Sequence, residues 1–155
     1  MKDVTDGLKL RGFYRVQITE ENQVVGDSGW LENQVTNLGF NQYLVSNLGA
    51  IAGSKQLSHM ALGSGGAPGA ADTTLAGEVQ VRAAVTAATS SSSKTLRLTG
   101  TFSSANSFVT NTQNVSNVGL FNTSSGGTLF AGNTYASSSC ATNQNVNATY
   151  DIIFS

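Results

Sequence analysis

Hydrolytic or metal chemistry in this chain of 155 residues would have to be built around one histidine, His59, and one cysteine, Cys140. A serine hydrolase would use His59 as general base for a serine, with Asp27, Asp72 or Asp151 orienting the imidazole. Such a nucleophile sits on a Gly-x-Ser-x-Gly elbow, and Gly63-Ser64-Gly65 is too short to form one. His59 reads instead as a polar residue at the end of a strand. Zinc takes three or four N, S or O ligands, which one histidine and one cysteine do not supply. Cys140 lies in Ser-Ser-Ser-Cys-Ala-Thr-Asn, without a basic neighbour to favour its thiolate. Glu20-Glu21 are adjacent and read as a solvated turn tip, not as carboxylates flanking a glycosidic bond. These residues assign no catalytic group, no cofactor and no metal.

The glycine-rich run Gly63-Ser-Gly65-Gly66-Ala-Pro68-Gly69 follows a strand-like Met60-Ala-Leu62 and precedes a short helical run at Asp72-Thr-Thr-Leu-Ala. Strand, glycine loop and helix start are the parts of a phosphate cradle. A Walker loop ends in Gly-Lys-Ser/Thr, because the lysine neutralises the phosphates, and here Lys55 lies upstream of the strand. A dinucleotide fingerprint needs a third glycine inside a parallel βαβ unit, and Pro68 stands in its place. The loop is therefore expected to let the chain pass close to another backbone, or to touch a partner. Trp30, with Tyr14 or Tyr43, could alternatively form a sugar-stacking platform, as in a carbohydrate-binding module. Burial of these aromatics in a core is the simpler expectation.

Composition narrows the class. Charged residues make up 11% of the chain and the net charge is −1, against about 25% charged in ordinary soluble domains. A nucleic-acid binder would carry a basic stripe, and none is present. No apolar run approaches a membrane span, and the start MKDVTDGLKLRG has no hydrophobic signal region. The unpaired cysteine fits synthesis in a reducing cytoplasm. An almost neutral, hydroxyl-rich surface has little repulsion to keep copies apart, which suits packing against neighbours.

Period-two alternation dominates the pattern. Leu8, Leu10, Gly12, Tyr14, Val16 and Ile18 share one face, with Phe13 as the exception on the other. Val79 to Ala87, Leu96 to Phe102 and Val146 to Phe154 alternate likewise, each as a half-wet antiparallel strand. Weaker strands fit at 24–30, 60–62, 115–122 and 128–135, with hairpin tips at 90–94 and 124–127. One segment departs from this: Phe40, Leu44, Val45 and Leu48 fall on one helical stripe between a Thr36 or Asn37 cap and Gly49. That helix is expected to pack its stripe on the sheets as a lid. The expected fold is mainly β, an antiparallel two-sheet sandwich, jelly-roll-like, with one short packed α-helix. Residues 1–7 read as a flexible N-terminal arm and 8–155 as a single β-sandwich domain.

Three stretches carry a resemblance. The run 59–79 with Arg82 is similar to a segment of tailed-bacteriophage virion structural proteins that reads roughly "LGTG", "AP-A-DTAL", then "EV-R". Val115-Ser-Asn-Val-Gly-Leu-Phe-Asn, followed by Gly-Gly-Thr-Leu-Phe-Ala, resembles that family's "EVGLFN" and "GGTLLA" hairpin, with Asn117 in place of the acidic residue. The helix after Gln34-Val-Thr-Asn and the terminal strand 146–154 fall where the family has them. The resemblance implies a non-enzymatic β-sandwich virion component. A capsid decoration (cement) protein that bridges shell subunits is favoured over a tail-tip, collar or fibre-attachment protein. It further implies the major capsid protein as partner, self-association as a homotrimer, location on the capsid surface after synthesis in the bacterial host, and no nucleic-acid or membrane partner. The expected contact residues are Lys2, Asp3 and Val4 of the arm, Gly65, Gly66 and Pro68 of the glycine loop, and Leu120 and Phe121 of the hairpin.

Overall fold

The computed structural model describes residues 7–79, 81–89 and 92–155. Most of the expected arm, including Lys2, Asp3 and Val4, lies outside the described residues.

The strongly alternating segments form the first layer. Strand β1 (Leu10–Glu20) pairs antiparallel with β10 (Asn145–Phe154), and β10 pairs with β7 (Thr95–Phe102). The register aligns Tyr14 with Tyr150 and Leu98, and Ile18 with Val146 and Phe102, so the inward residues stack in rows across the sheet. All six are buried, while Arg15, Thr149 and Thr99 occupy the outer face. Strand β2 (Gln23–Asp27) continues from β1 as an edge hairpin.

Strand β6 (Ala83–Ala88) links the layers. It pairs with β7 through Val85 to Ala88, and through Ala83 and Ala84 with Met60 and His59 of β5 (His59–Gly63). The second layer continues through β8 (Gln113–Phe121) and β9 (Ala131–Cys140) to β4 (Gln34–Val35). At the other margin β3 (Leu31–Glu32) pairs with β1 only one residue before β4 joins β9. The result is a sandwich-like antiparallel arrangement. It contains the Greek-key order β8-β5-β6-β7 from which jelly rolls are built. Met60, Leu62, Val118, Leu120 and Phe130 meet Tyr14, Leu98, Phe102 and Tyr150 in one core.

Three local expectations are corrected. The strand expected from Val79 enters the ladder only at Ala83. No helix forms near Thr73. Instead the Asp72 carboxylate accepts from the Gly69 amide at 2.8 Å, closing a turn. The one substantial helical segment, α1, is π-helical over Gly39–Val45 and α-helical over Ser46–Leu48. The wider π turn places Gly39 and Tyr43, not the stripe, against the sheets. Phe40, Val45 and Leu48 are 45%, 61% and 89% exposed, and Leu44 is half-buried.

Candidate functional site

The glycine loop is built as a close backbone crossing. Ser64 N donates to the Gly77 carbonyl and Gly65 N to the Ala76 carbonyl, each at 3.1 Å. A Cβ at Gly65 would lie 2.5 Å from the Ala76 side chain and carbonyl, so only glycine permits the approach. Asn117, fully buried, donates from Nδ2 to the Ala76 carbonyl at 2.9 Å and to the Gly66 carbonyl at 3.2 Å. Two backbone carbonyls there call for a donor, which an amide provides and a carboxylate would not. Gly65 is half-buried and Gly66 exposed, whereas Pro68 is buried against Gly132. The contact expectation for Pro68 is therefore corrected, because its ring already fills the space above the β8–β9 pair.

Leu120 and Phe121 require the same correction. Both have 0% exposure, their side chains lying within the two core clusters. Beside Phe121, Arg82 donates to both Glu78 oxygens at 2.5 and 3.0 Å, and to the carbonyls of Thr123 and Gly126 at 2.9 and 2.8 Å. Its guanidinium carbon is 3.5 Å from the Phe121 ring centroid. The stretches that carry the family resemblance thus fasten the glycine loop and the 122–127 turn to one another.

The catalytic candidates do not converge. Ser58 Oγ lies 2.8 Å from His59 Nδ1, and desolvation followed by the Arg82 charge lowers the imidazole pKa. Asp27 instead binds Arg15 and the Gly29 amide, Asp72 the Gly69 amide, and Asp151 Arg97. Among the described residues no three His, Cys, Asp or Glu side chains gather as metal ligands. Cys140 is buried, and desolvation raises its thiol pKa.

The surface best suited to a partner is one the sequence pattern assigned to the core. Thr36 caps α1, its hydroxyl accepting from the Gly39 amide at 2.9 Å. A Cβ at Gly39 would run into the Phe130 carbonyl, which keeps the helix tight on β9. Tyr43 anchors it from below, its ring edge-on to Phe130 at 5.3 Å and its hydroxyl bonded to the Thr128 carbonyl and the side-chain oxygen Oδ1 of Asn122. With Tyr43 turned inward, Phe40, Val45 and Leu48 face outward beside Leu8, which is 78% exposed. Together with Leu10, Leu44 and Phe154 they line a concavity of about 710 Å³ in which no charged side chain takes part among the described residues.

Trp30, expected in the core, is 44% exposed on the outer face of the first layer, while Tyr14 and Tyr43 are buried. Among the described residues no helix is long and apolar enough to cross a membrane. No family model matches this chain, and no curated protein or solved structure matches it either.

Proposed function

We propose that this chain is a decoration (cement) protein of a tailed-bacteriophage capsid, and that the apolar face formed by α1 and Leu8 is the surface that seats it on the shell. The observation that carries the reading is the exposure of Leu8, Phe40, Val45 and Leu48 around one concavity lined by no charged side chain among the described residues. Contiguous apolar surface of this kind marks sites of protein association. The sequence resemblance at the glycine loop and the 115–131 hairpin supplies the class of assembly. The low charge of the remaining surface lets copies crowd on a shell without mutual repulsion.

The mechanism is mechanical. Packaged DNA strains the contacts between capsid subunits, and a bound protein that touches several subunits makes opening one contact cost its own contacts as well. Linked attachments raise avidity by about 10²–10⁴ without any single strong contact. The apolar face provides one attachment. Addition of the arm residues Lys2, Asp3 and Val4 as a strand to a neighbour would provide a second. Assembly as a homotrimer would multiply both, with the major capsid protein as the partner.

Negative-stain imaging of virions labelled with an antibody to this chain tests the proposal. Label spread over the head is the expected result. Label confined to the tail, or absent from particles, would overturn it.

A further inference from the structure

The geometry points to a second binding site, for a neutral oligosaccharide, on the outer face of the β2-β1-β10-β7 sheet, with Trp30 as stacking surface and the Arg97–Asp151 pair as its hydrogen-bonding group. This site is remote in chemistry from the apolar face and does not depend on the capsid reading.

Trp30 is presented rigidly. Ser28 N donates to the Val16 carbonyl, Val16 N donates to Ser28 Oγ, and Gly29 N donates to Asp27 Oδ1, each at 2.9 Å. Leu31 then pairs with Tyr14. The backbone that carries the indole is thus held between fixed points, which lowers the cost of ordering it on a ligand. Arg97 Cζ lies 5.7 Å from the indole centroid, and the guanidinium forks onto both Asp151 oxygens at 2.7 and 2.6 Å. Beyond this pair a shallow groove of about 400 Å³ is lined by the hydroxyls of Thr89, Ser93 and Thr95 and by the apolar Ala88 and Ile153, as well as Arg97 and Asp151. Ser93 Oγ accepts from the Thr95 amide and Thr89 Oγ1 donates to the Thr95 carbonyl, which leaves a donor on one hydroxyl and acceptor capacity on the other.

Three arginine–carboxylate pairs lie on this face. Arg11 meets Glu32, Arg15 meets Asp27 and Arg97 meets Asp151. Such a balanced surface has no preference for a phosphate or an anionic chain. Fixed guanidinium donors and carboxylate acceptors match the adjacent hydroxyls of a sugar, and the apolar C–H face of a pyranose suits an exposed indole. Phe13, opposite Asp151 in the ladder, and Ile153 share this face with the ion pairs, while the larger uncharged apolar surface lies at α1.

Trp30 is the only tryptophan, so its emission reports the site without a label. The full chain is titrated with maltohexaose, cellohexaose and chitohexaose, followed by fluorescence and by calorimetry. At least one sugar should give a saturable change with a dissociation constant of about 1 mM or tighter. Trp30→Ala, an exposed position, should weaken calorimetric binding about tenfold or more. Arg97→Lys, which keeps the charge but loses the fork, should weaken it with the thermal midpoint retained. Val45→Ser/Leu48→Ser should bind sugar as the wild type does, even where capsid binding is lost. Absence of heat and of an emission change with all three sugars would overturn the proposal, as would unchanged binding by Trp30→Ala. A Trp30→Ala defect in protein association instead of sugar binding would also overturn it.

Discussion

Arg82 lies over Phe121 with its guanidinium carbon 3.5 Å from the ring centroid, while its N–H groups bind both oxygens of Glu78 and two carbonyls of the 122–127 turn. One side chain, 5% exposed, thereby joins the end of the glycine-loop segment to the β8–β9 hairpin. Arg82→Ala leaves those carbonyls without a charged donor and strands Glu78. We expect it to cost about 3 kcal/mol, read as a lower midpoint in urea unfolding. Arg82→Lys should recover only part of the loss, because an ammonium cannot lie flat on the ring and fork onto a carboxylate together.

The glycine loop offers a paired comparison within two residues. Gly65→Ala drives a methyl group into Ala76 at 2.5 Å, whereas Gly66→Ala meets nothing within 4 Å. The first should destabilise by about 1–3 kcal/mol and the second should be near neutral. Thermal melts of the two variants check this directly. Equal effects would mean that the backbone crossing is looser than its hydrogen bonds imply.

All four tyrosines titrate high. Desolvation pushes Tyr14 up to about 12, and it raises Tyr43, Tyr135 and Tyr150 further. In the unfolded chain they ionise near 10. Their contribution to stability is therefore complete below about pH 10 and is lost as pH rises from there through the folded values. Alkaline titration should show no phenolate absorbance before the protein unfolds, then all of it in one step with the loss of β-sheet circular dichroism. Phenolate appearing ahead of unfolding would contradict this burial.

The sequence was most readable where one rule acted alone. In β1, β7 and β10 alternation separates Tyr14, Leu98 and Tyr150 from Arg15, Arg97 and Thr149, and the ladders follow it. Pairing with one wet face is a local constraint, so a single sequence displays it. The helix was misread because the α period assigns Phe40, Leu44, Val45 and Leu48 to one buried stripe. The π turn and the tight seat at Gly39 instead select Tyr43, and this choice depends on Phe130 and Thr128, distant in sequence. Leu120 and Phe121 looked like hairpin contacts for a related reason: their burial comes from the facing layer. Trp30 follows a turn that ends in pairing with Tyr14, where alternation has no phase to offer.

The central claim is that the face formed by α1 and Leu8 docks this chain onto other protein. Under the proposed function, it is tested most directly by co-sedimentation with tailed-phage capsids, comparing wild type with Val45→Ser/Leu48→Ser. Both side chains are largely exposed, so the variant should melt within about 0.5 kcal/mol of wild type. The account predicts that the wild type pellets with the shells and the variant stays in the supernatant. A stable variant that pellets as fully as the wild type would contradict it.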